Sequence, residues 1–453
     1  MIDKFFKLKE NKTNILTEFI AGLTIFISIS YIIFINPKIL SQAGMDYNAV
    51  YSATIIASII GTLIMGLVVN IPYVQSAGLG LNALFAYTIC GTLGFSWQEA
   101  LAMVFICGII SLLITATSIR KKLIKAIPPF LQDAITVGIG LFITYTGFRN
   151  ANFINFAVDG VTNGMSLGSN TIPSLANFNN PQIILSLIGL IITTILVIKK
   201  VKGSYLIGIL LTTIIGIPLG VTTLPDFSNY TILPSLEPTF MKLDFSGLLT
   251  AKAGLVTVFM TIFTLCISDV FDTIGTFIGT GKKAGIFKVD KDGNMPEKLE
   301  RALFADSIAT GVGACLGTSN VTSYVESSAG IEVGGRTGLT AVFAALCFAL
   351  SLFVAPIVAS VPMAAISPVL ILIGASMIGS VKSIDWDNMG VAIPAFFTII
   401  LMPLTYSITT GIELGLLFYV IVNLVNKEPK KTPPMIYIFS VLFIIDFVYK
   451  ALN

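Results

Sequence analysis

Two aspartates and one glutamate lie in stretches of the chain that are otherwise almost free of charge. Asp269 and Asp272 occur in "FTLCISDVFDTIGT", and their spacing puts them at neighbouring positions on one face of a helix. Glu326 follows "NVTSY" and precedes a helix-compatible run. A carboxylate inside a membrane is costly unless it is paired or protonated, and such residues are functional by default. These three acids are therefore the first candidates for ligand binding.

Each polar candidate also has a structural interpretation. Glu326 could satisfy free N–H groups at the start of a half-helix. Two acids a turn apart in a membrane are not expected to be ionised together, so we expect one to bind ligand and the other to hold the scaffold. Thr276 adds a hydroxyl to the same helix. Asn82, after "GLGL", has donors and an acceptor that suit the edge of a heterocyclic base, or it caps a helix.

The remaining charged residues near these segments are predicted to have structural roles. Asp306 in "ALFADSIATGVGA" is interpreted as a scaffold residue. Glu332 and Arg336 have the spacing of a local ion pair on a helix. Asp133, near the start of an apolar run, is predicted to be interfacial or interhelical.

The composition places these acids in a membrane. Of the 453 residues, 55% are hydrophobic and 11% are charged, and the mean hydropathy is +0.90. Soluble domains have about 25% charged residues. Residues 47–98, 160–198 and 337–381 contain no Asp, Glu, Lys or Arg, and each is long enough for one or more helices of about 20 residues that cross the bilayer. The chain is predicted to be an all-α polytopic membrane protein.

The apolar runs predict fourteen transmembrane spans. They are placed at residues 17–36, 49–70, 72–91, 99–118, 129–148, 182–198, 203–221, 253–280, 301–316, 322–337, 338–361, 364–381, 391–408 and 411–426. Spans three and ten both begin with polar or glycine-rich residues, and both stand third in a set of seven. Irregular segments at matching positions of two halves indicate a transporter with inverted repeats and a site at those segments.

Basic residues predict the orientation. Clusters at residues 4–12, 120–125, 199–202, 282–301 and 426–431 fall on one side if the N-terminus is cytoplasmic, as the positive-inside rule requires. The first span is predicted to be an uncleaved signal anchor in the cell membrane. Residues 435–448 form a further apolar run, which is predicted to lie on the bilayer surface rather than to add a span.

The residue types exclude several other functions. The chain has five cysteines without a C-x-x-C pair and no histidine, so neither a Cys/His metal site nor a disulfide is expected. The basic clusters are explained by topology, and no nucleic-acid partner is expected. No nucleophile–base pair and no P-loop lysine supports an enzyme. No cofactor is predicted.

Several segments resemble the AzgA-like purine permeases of the nucleobase–cation symporter-2 superfamily. The resemblance extends over essentially the whole chain. The segments that carry it are "EFIAGLTIFISISYIIFINP", "AGLGLNALFAY", "SDVFDTIGT" and "ALFADSIATGVGACLGTSNVTSYVESSAGIEVGGRTGLTAV". The family commonly has Met in place of Leu79, and related uracil transporters have His in place of Thr276, which argues against a uracil site here.

This resemblance implies two inverted seven-span repeats that form a core and a gate domain, with short strands in spans three and ten. The core would comprise residues 1–128 and 226–361, the gate 129–225 and 362–426, and residues 427–453 a cytoplasmic or interfacial tail. Asp272 and Glu326 would hold the base, with Asp269 as a substitute for Asp272, and Asn82 and Thr276 would contribute polar contacts. The chain would import adenine, guanine or hypoxanthine, and a homodimer is left open.

The absence of histidine bears on energy coupling. A proton symporter without histidine must carry its proton on a carboxylate, and Glu326, Asp272 and Asp269 are the candidates. Sodium is the rival ion, since carboxylates and backbone carbonyls also bind it. An anion exchanger of the same fold and a channel are the other transport alternatives.

Overall fold

Helices make up most of the chain in a computed structural model that describes residues 2–117, 127–158, 161–162, 165–166, 171–225, 235–250, 254–284 and 297–452. The predicted basic cluster at residues 120–125 lies outside the described residues. The first half contains helices α1 (Ile2–Phe6), α2 (Ile15–Ile29), α3 (Ile32–Ser41), α4 (Tyr47–Leu63), α5 (Leu79–Ala83), α6 (Trp97–Ala116), α7 (Pro129–Asn150), α8 (Pro181–Ile198) and α9 (Ser204–Gly216). The second half contains α10 (Phe245–Leu249), α11 (Gly254–Ala284), α12 (Glu297–Leu316), α13 (Ser327–Glu332), α14 (Gly338–Ser351), α15 (Ala355–Ala359), α16 (Met363–Met377), α17 (Met389–Leu404), α18 (Ile408–Val425) and α19 (Pro434–Leu452).

Each of the fourteen predicted spans coincides with one or two of these elements, which confirms the mostly helical membrane fold. Six described helical segments of 18 to 27 residues are long and apolar enough to cross a membrane, and others are shorter apolar helices. The first span is interrupted between α2 and α3, where Ser30 and Tyr31 separate two helices. The count of fourteen crossings and the inverted repeat stay predictions.

The third and tenth spans meet as half-helices joined through short strands. Strand β1 (Gln75–Ala77) precedes α5, and β6 (Val321–Ser323) precedes α13. The two strands pair antiparallel, with Ser76 opposite Thr322. This pairing satisfies backbone groups that could not remain exposed at membrane depth. The short strands inferred for spans three and ten are therefore present.

The helices pack as two groups around these crossed segments. In one group α14 packs on α2 and α4, and α6 packs on α12. In the other, α7 packs on α16 and α17, α17 on α18, and α8 on α9. Close backbone approach within the first group depends on glycine, since a Cβ on Gly338 would lie 1.8 Å from the carbonyl oxygen of Gly66. The exact domain boundaries stay predictions.

Two parts of the chain have more structure than the sequence indicated. The polar segment after α7 contains strands β2 (Ile154–Val158), β3 (Val161–Thr162), β4 (Met165–Ser166) and β5 (Thr171–Leu175), paired as β2 with β5 and β3 with β4. The C-terminal run forms α19, which packs on α11 and α18 and brings the rings of Phe439 and Phe263 into contact, with centroids 3.8 Å apart. Whether α19 lies on the bilayer surface stays a prediction.

Candidate substrate-binding site

A cavity of about 430 Å³ lies between the two groups of helices, next to the paired strands. This volume falls within the range of small-molecule sites, about 300–1,000 Å³. Its walls come from the start of α5, from α7, α11 and α16, and from the segment between β6 and α13. The lining residues are Gly78, Leu79, Gly80, Asp133, Thr136, Ile143, Asp272, Thr276, Thr322, Ser323, Tyr324, Val325, Glu326, Ile373, Ser376, Met377 and Ser380.

Hydrogen bonds between the two half-spans fix the wall that carries Glu326. The N–H of Tyr324 donates to the carbonyl oxygen of Val74 over 3.1 Å, and the N–H of Gly78 donates to that of Asn320 over 3.0 Å. The Tyr324 hydroxyl donates to the carbonyl oxygen of Ala77. Because these bonds join α5 and α13 at their starts, the two half-helices are held in register at the cavity.

Glu326 directs its carboxylate to a ligand-accessible position rather than to its own helix. It occupies the N-cap position of α13, but its side chain makes no capping hydrogen bond. Instead, Oε1 accepts a 2.6 Å hydrogen bond from the hydroxyl of Tyr31, at the break between α2 and α3. The Tyr31 ring makes an edge contact with Tyr205 of α9, with centroids 5.5 Å apart. Tyr31 thus orients the acid.

The two aspartates of α11 occupy different environments. Asp272 is exposed to the cavity and lines it together with Thr276. Asp269 is only 1% exposed and is not among the residues that line the cavity. Of the two, Asp272 is therefore the one that a ligand in this cavity could contact.

Asp306 is a hydrogen-bonding centre behind the strands. It is fully buried and accepts from Gln75 Nε2 over 2.9 Å, from Thr273 Oγ1 over 2.8 Å and from Ser323 Oγ over 3.2 Å. Thr273 also contacts the hydroxyl of Thr322 at 2.9 Å. These bonds connect α11 and α12 to both strands, in agreement with a scaffold role.

Asn82 lies behind the cavity wall. Its side chain is fully buried, and its Oδ1 accepts a hydrogen bond from the hydroxyl of Ser319. It is absent from the cavity lining. In this conformation Asn82 ties α5 to the segment before β6, and its direct contact with a ligand stays a prediction.

One sequence interpretation needs correction. Arg336 makes no ion pair with Glu332 among the described residues; its guanidinium donates to the carbonyl oxygens of Ile331 and Gly335, where α13 ends. Cations are favoured at helix C-termini, which explains this choice.

Asp133 lies on α7 and lines the cavity between that helix and α16, a position between helices that the sequence interpretation allowed.

Sequence reasoning also missed residues that support the site. Tyr31 is uncharged and belongs to no recognisable motif, so only its position within an apolar span made it unusual. Glu18 is fully buried and accepts hydrogen bonds from Thr337 and Thr340 at the start of α14. A carboxylate in the first turn of the first span was the signal that could have revealed it. Glu413, buried in α18, is a further acid that the sequence interpretation did not consider.

The cavity has the chemistry to bind a flat molecule with N–H donors. Carboxylate oxygens of Asp272 and Glu326 accept hydrogen bonds, while the hydroxyls of Thr276 and Ser376 donate or accept. Apolar atoms of Met377 complete the wall. Among the described residues, no group of three or more His, Cys, Asp or Glu side chains could hold a metal ion.

Comparison with known proteins finds relatives along almost the whole chain. Residues 16–414 match the Permease family of xanthine and uracil permeases. The chain is 40% identical over 447 residues to the guanine/hypoxanthine permease PbuO of Bacillus subtilis. The aligned region covers 97% of this chain and 99% of PbuO. It is 36% identical over 453 residues to the adenine permease AdeP of Escherichia coli. That alignment covers 99% of this chain and 96% of AdeP.

The fold is shared with an anion transporter. The transmembrane domain of the cyanobacterial bicarbonate transporter BicA superposes with a TM-score of 0.63 at 15% sequence identity, covering 89% of this chain and 97% of that domain. At this level of identity the similarity concerns the fold alone.

Proposed function

Because the chain belongs to the Permease family of the nucleobase–cation symporter-2 group, we propose that it imports purine nucleobases by secondary active transport. It is a multi-pass membrane protein and a transporter rather than an enzyme, as family membership indicates. The observation that supports a purine as the substrate is the pair of carboxylates in the cavity, Asp272 and Glu326. Ring N–H groups of a purine are donors, and a carboxyl group accepts hydrogen bonds when ionised and both donates and accepts when protonated.

The coupling ion is proposed to be the proton. Protonation of a buried carboxylate removes a charge from the membrane interior and so lowers the cost of moving the loaded site. Glu326, Asp272 and Asp269 are the candidate carriers. A carrier that must be protonated to load is favoured at low pH, so uptake should rise as the outside pH falls. No cofactor is needed for this cycle.

Alternating access is proposed to occur between the two groups of helices that border the cavity. Asp272, Thr276 and Glu326 belong to the group with the crossed half-spans, whereas Thr136 and Ser376 belong to the other. A base bound between them would change sides when one group moves against the other. The cell membrane as location, a cytoplasmic N-terminus and a homodimer belong to the same proposal.

Sodium coupling is the alternative within the same function, and anion exchange is the alternative suggested by the fold. An anion would need a cationic or neutral pocket, and Asp133, Asp272 and Glu326 all border this cavity. Anion exchange is therefore disfavoured by charge.

Uptake into proteoliposomes tests the proposal. Purified protein is supplied with labelled hypoxanthine, guanine, adenine or uracil under an inward proton gradient, with or without an uncoupler, and separately under a sodium gradient. Purine accumulation that the uncoupler abolishes, without uracil accumulation, is expected. Purine uptake that follows sodium and ignores the uncoupler would assign sodium as the coupling ion. Absence of purine uptake would refute the proposed function.

A further inference from the structure

A line of hydroxyl side chains runs along α11 and ends at Asp272. Thr257, Thr261, Thr264 and Ser268 precede the aspartate at intervals of three or four residues, which places all five on one side of the helix. The four hydroxyl residues are at most 4% exposed. We call these four residues the hydroxyl stripe.

Two members of the stripe lack the hydrogen bond that such residues usually make. A buried Ser or Thr in a helix commonly donates to the carbonyl oxygen four residues earlier. Thr261 does so, to Thr257 over 2.8 Å, and Thr212 of α9 does so, to Gly208 over 2.7 Å. The hydroxyls of Thr264 and Ser268 have no partner within the described part of the chain. A buried unsatisfied hydroxyl is unfavourable, so these two positions call for a polar partner that is not a protein group.

A second, small cavity supplies the place for such a partner next to Ser268. It has a volume of about 50 Å³ and lies between Ser268, Asp272 and Thr136. A cavity needs about 10–15 Å³ of such volume to hold one water molecule, which in turn needs two to four polar partners, so this cavity has room for water. Its remaining lining residues are Gly80, Leu81, Ile135, Ile139, Met377 and Ile408.

The small cavity adjoins the large one, and Gly80, Thr136, Asp272 and Met377 border both. The large cavity extends to Asp133 near the start of α7 and to Ser380 just after α16. The small cavity instead reaches Ser268, one turn nearer the start of α11, and Ile408, the first residue of α18. On α11, Asp272 thus lies between Ser268, which lines only the small cavity, and Thr276, which lines only the large one.

Bulky aromatic rings stand beyond the small cavity. Tyr406, two residues before α18, contacts Phe142 with ring centroids 5.1 Å apart and Tyr87 with centroids 5.7 Å apart. A nucleobase could not pass between rings in such contact, whereas a proton can move along hydroxyls and a water molecule. The end of the protein that these rings close could thus admit a proton but not a nucleobase.

We propose that water molecules bound at Thr264 and Ser268, whose hydroxyls make no direct hydrogen bond to each other, carry the coupling proton to Asp272 from the membrane face where α11 begins. Each hydroxyl accepts one proton and releases another, so only the carboxylate changes its protonation, from carboxylate to neutral acid. The base meanwhile occupies the large cavity, which Asp272 also borders. This inference rests on proton-coupled purine transport.

Other titratable groups surround Asp272 and must be considered with it. Asp133 of α7 and Glu326 line the same large cavity. Asp306 of α12 and Tyr324 of the β6 segment interact electrostatically with Asp272. Glu413 lies on α18, which also packs on α11. None of these residues belongs to the hydroxyl stripe, so variants in the stripe leave them intact.

The test compares net transport with exchange in proteoliposomes. Ser268→Ala and Thr264→Val remove the two unpartnered hydroxyls, and Thr212→Val removes a hydroxyl that is bonded within its own helix. Equilibrium exchange of labelled purine needs no net proton movement, whereas uptake driven by a proton gradient does. We expect gradient-driven uptake to fall about a hundredfold in Ser268→Ala and Thr264→Val, as for loss of a proton-transfer group, with exchange and purine affinity unchanged. Thr212→Val should match the wild type in both assays.

The outcomes separate the inference from the proposed function. If wild-type protein takes up purine under a proton gradient but the stripe variants retain their gradient-driven rate, the proton route is refuted and purine transport stands. Equal losses of uptake and exchange in properly folded variants would show a structural role and would also refute the route. A wild-type protein without purine uptake would overturn the proposed function itself. If one stripe variant fails to fold, the other still decides.

Discussion

The hydroxyl of Tyr31 donates a 2.6 Å hydrogen bond to the carboxylate of Glu326, across 295 residues of sequence. The bond joins the break in the first span to the start of the half-helix α13. Hydrogen bonds to ionised groups contribute about 1.5–3 kcal/mol, more than those between neutral groups. One carboxylate oxygen is thereby fixed in place, and the orientation of the acid in the cavity depends on a residue of the other half of the chain.

Removing the Tyr31 hydroxyl should weaken substrate binding without unfolding the protein. In Tyr31→Phe the ring contact with Tyr205 remains, but Glu326 loses its orienting donor. We expect the KM for purine uptake to rise roughly tenfold, the equivalent of ~1.4 kcal/mol. Tyr47→Phe is the matched control, because that hydroxyl donates to the carbonyl oxygen of Val358, at a residue outside the cavity lining. An unchanged KM in Tyr31→Phe would contradict the orienting role.

Neutralising Glu326 should abolish or severely reduce purine uptake. Glu326→Gln keeps the shape of the side chain and can still accept from Tyr31, but it removes the negative charge and the titratable group. Expression level and size-exclusion behaviour should match the wild type, since the side chain does not cap its helix. Normal uptake by a well-expressed variant would remove Glu326 from the site.

The two aspartates of α11 should respond differently to the same change. Asp272→Asn should lower purine affinity, since Asp272 is exposed to the cavity. Asp269→Asn should chiefly affect yield and thermal stability, because that side chain is 1% exposed and away from the cavity lining. Binding of labelled hypoxanthine to purified variants separates the two. Loss of binding in Asp269→Asn alone would mean that the roles are exchanged.

Much of this architecture follows from local sequence signals. Apolar runs reveal spans because a helix must satisfy its own backbone in lipid, and the glycine-rich starts of spans three and ten mark the crossed half-helices. Glu326 and Asp272 stand out because charge is rare in membrane segments. Each is conspicuous without knowledge of its neighbours.

Contacts between distant parts of the chain could not be predicted in this way. Tyr31 and Asn82 take their roles from Glu326 and Ser319, their partners in the other half of the chain. Asp133 was assigned by its place near a span end, but the packing of α7 and α16 turns it towards the cavity. A periodic pattern predicts which face of a helix is buried, but it does not predict which element packs against that face.

Glu18 should be important for stability rather than for transport chemistry. Its carboxylate accepts hydrogen bonds from the N–H groups of Arg336, Thr337 and Thr340, over 3.0, 3.3 and 3.1 Å, and from both threonine hydroxyls. Glu18→Ala leaves these buried donors without an acceptor, at a cost on the order of 3 kcal/mol. The melting temperature in detergent should fall by several degrees, while the exposed Glu10→Ala should leave it unchanged. A Glu18→Ala protein as stable as the wild type would contradict this anchoring role.

The aromatic residues around Tyr406 should close one end of the path between the helix groups. Tyr406 contacts Tyr87, Phe142 and Tyr145, and the guanidinium of Arg149 lies 5.0 Å from its ring centroid. Aromatic pairs contribute about 0.5–1.5 kcal/mol each, so removing this ring loses several contacts at once.

Tyr406→Ala should therefore make proteoliposomes leaky to protons when purine is absent. The measurement is the decay of an imposed pH gradient, reported by a pH-sensitive dye inside the vesicles, which should be faster than with the wild type. Phe178→Ala is the control, since that ring stacks on Phe153 after α7 and makes no ring contact with Tyr406 among the described residues. Equal decay rates for Tyr406→Ala and the wild type would show that other residues close this end.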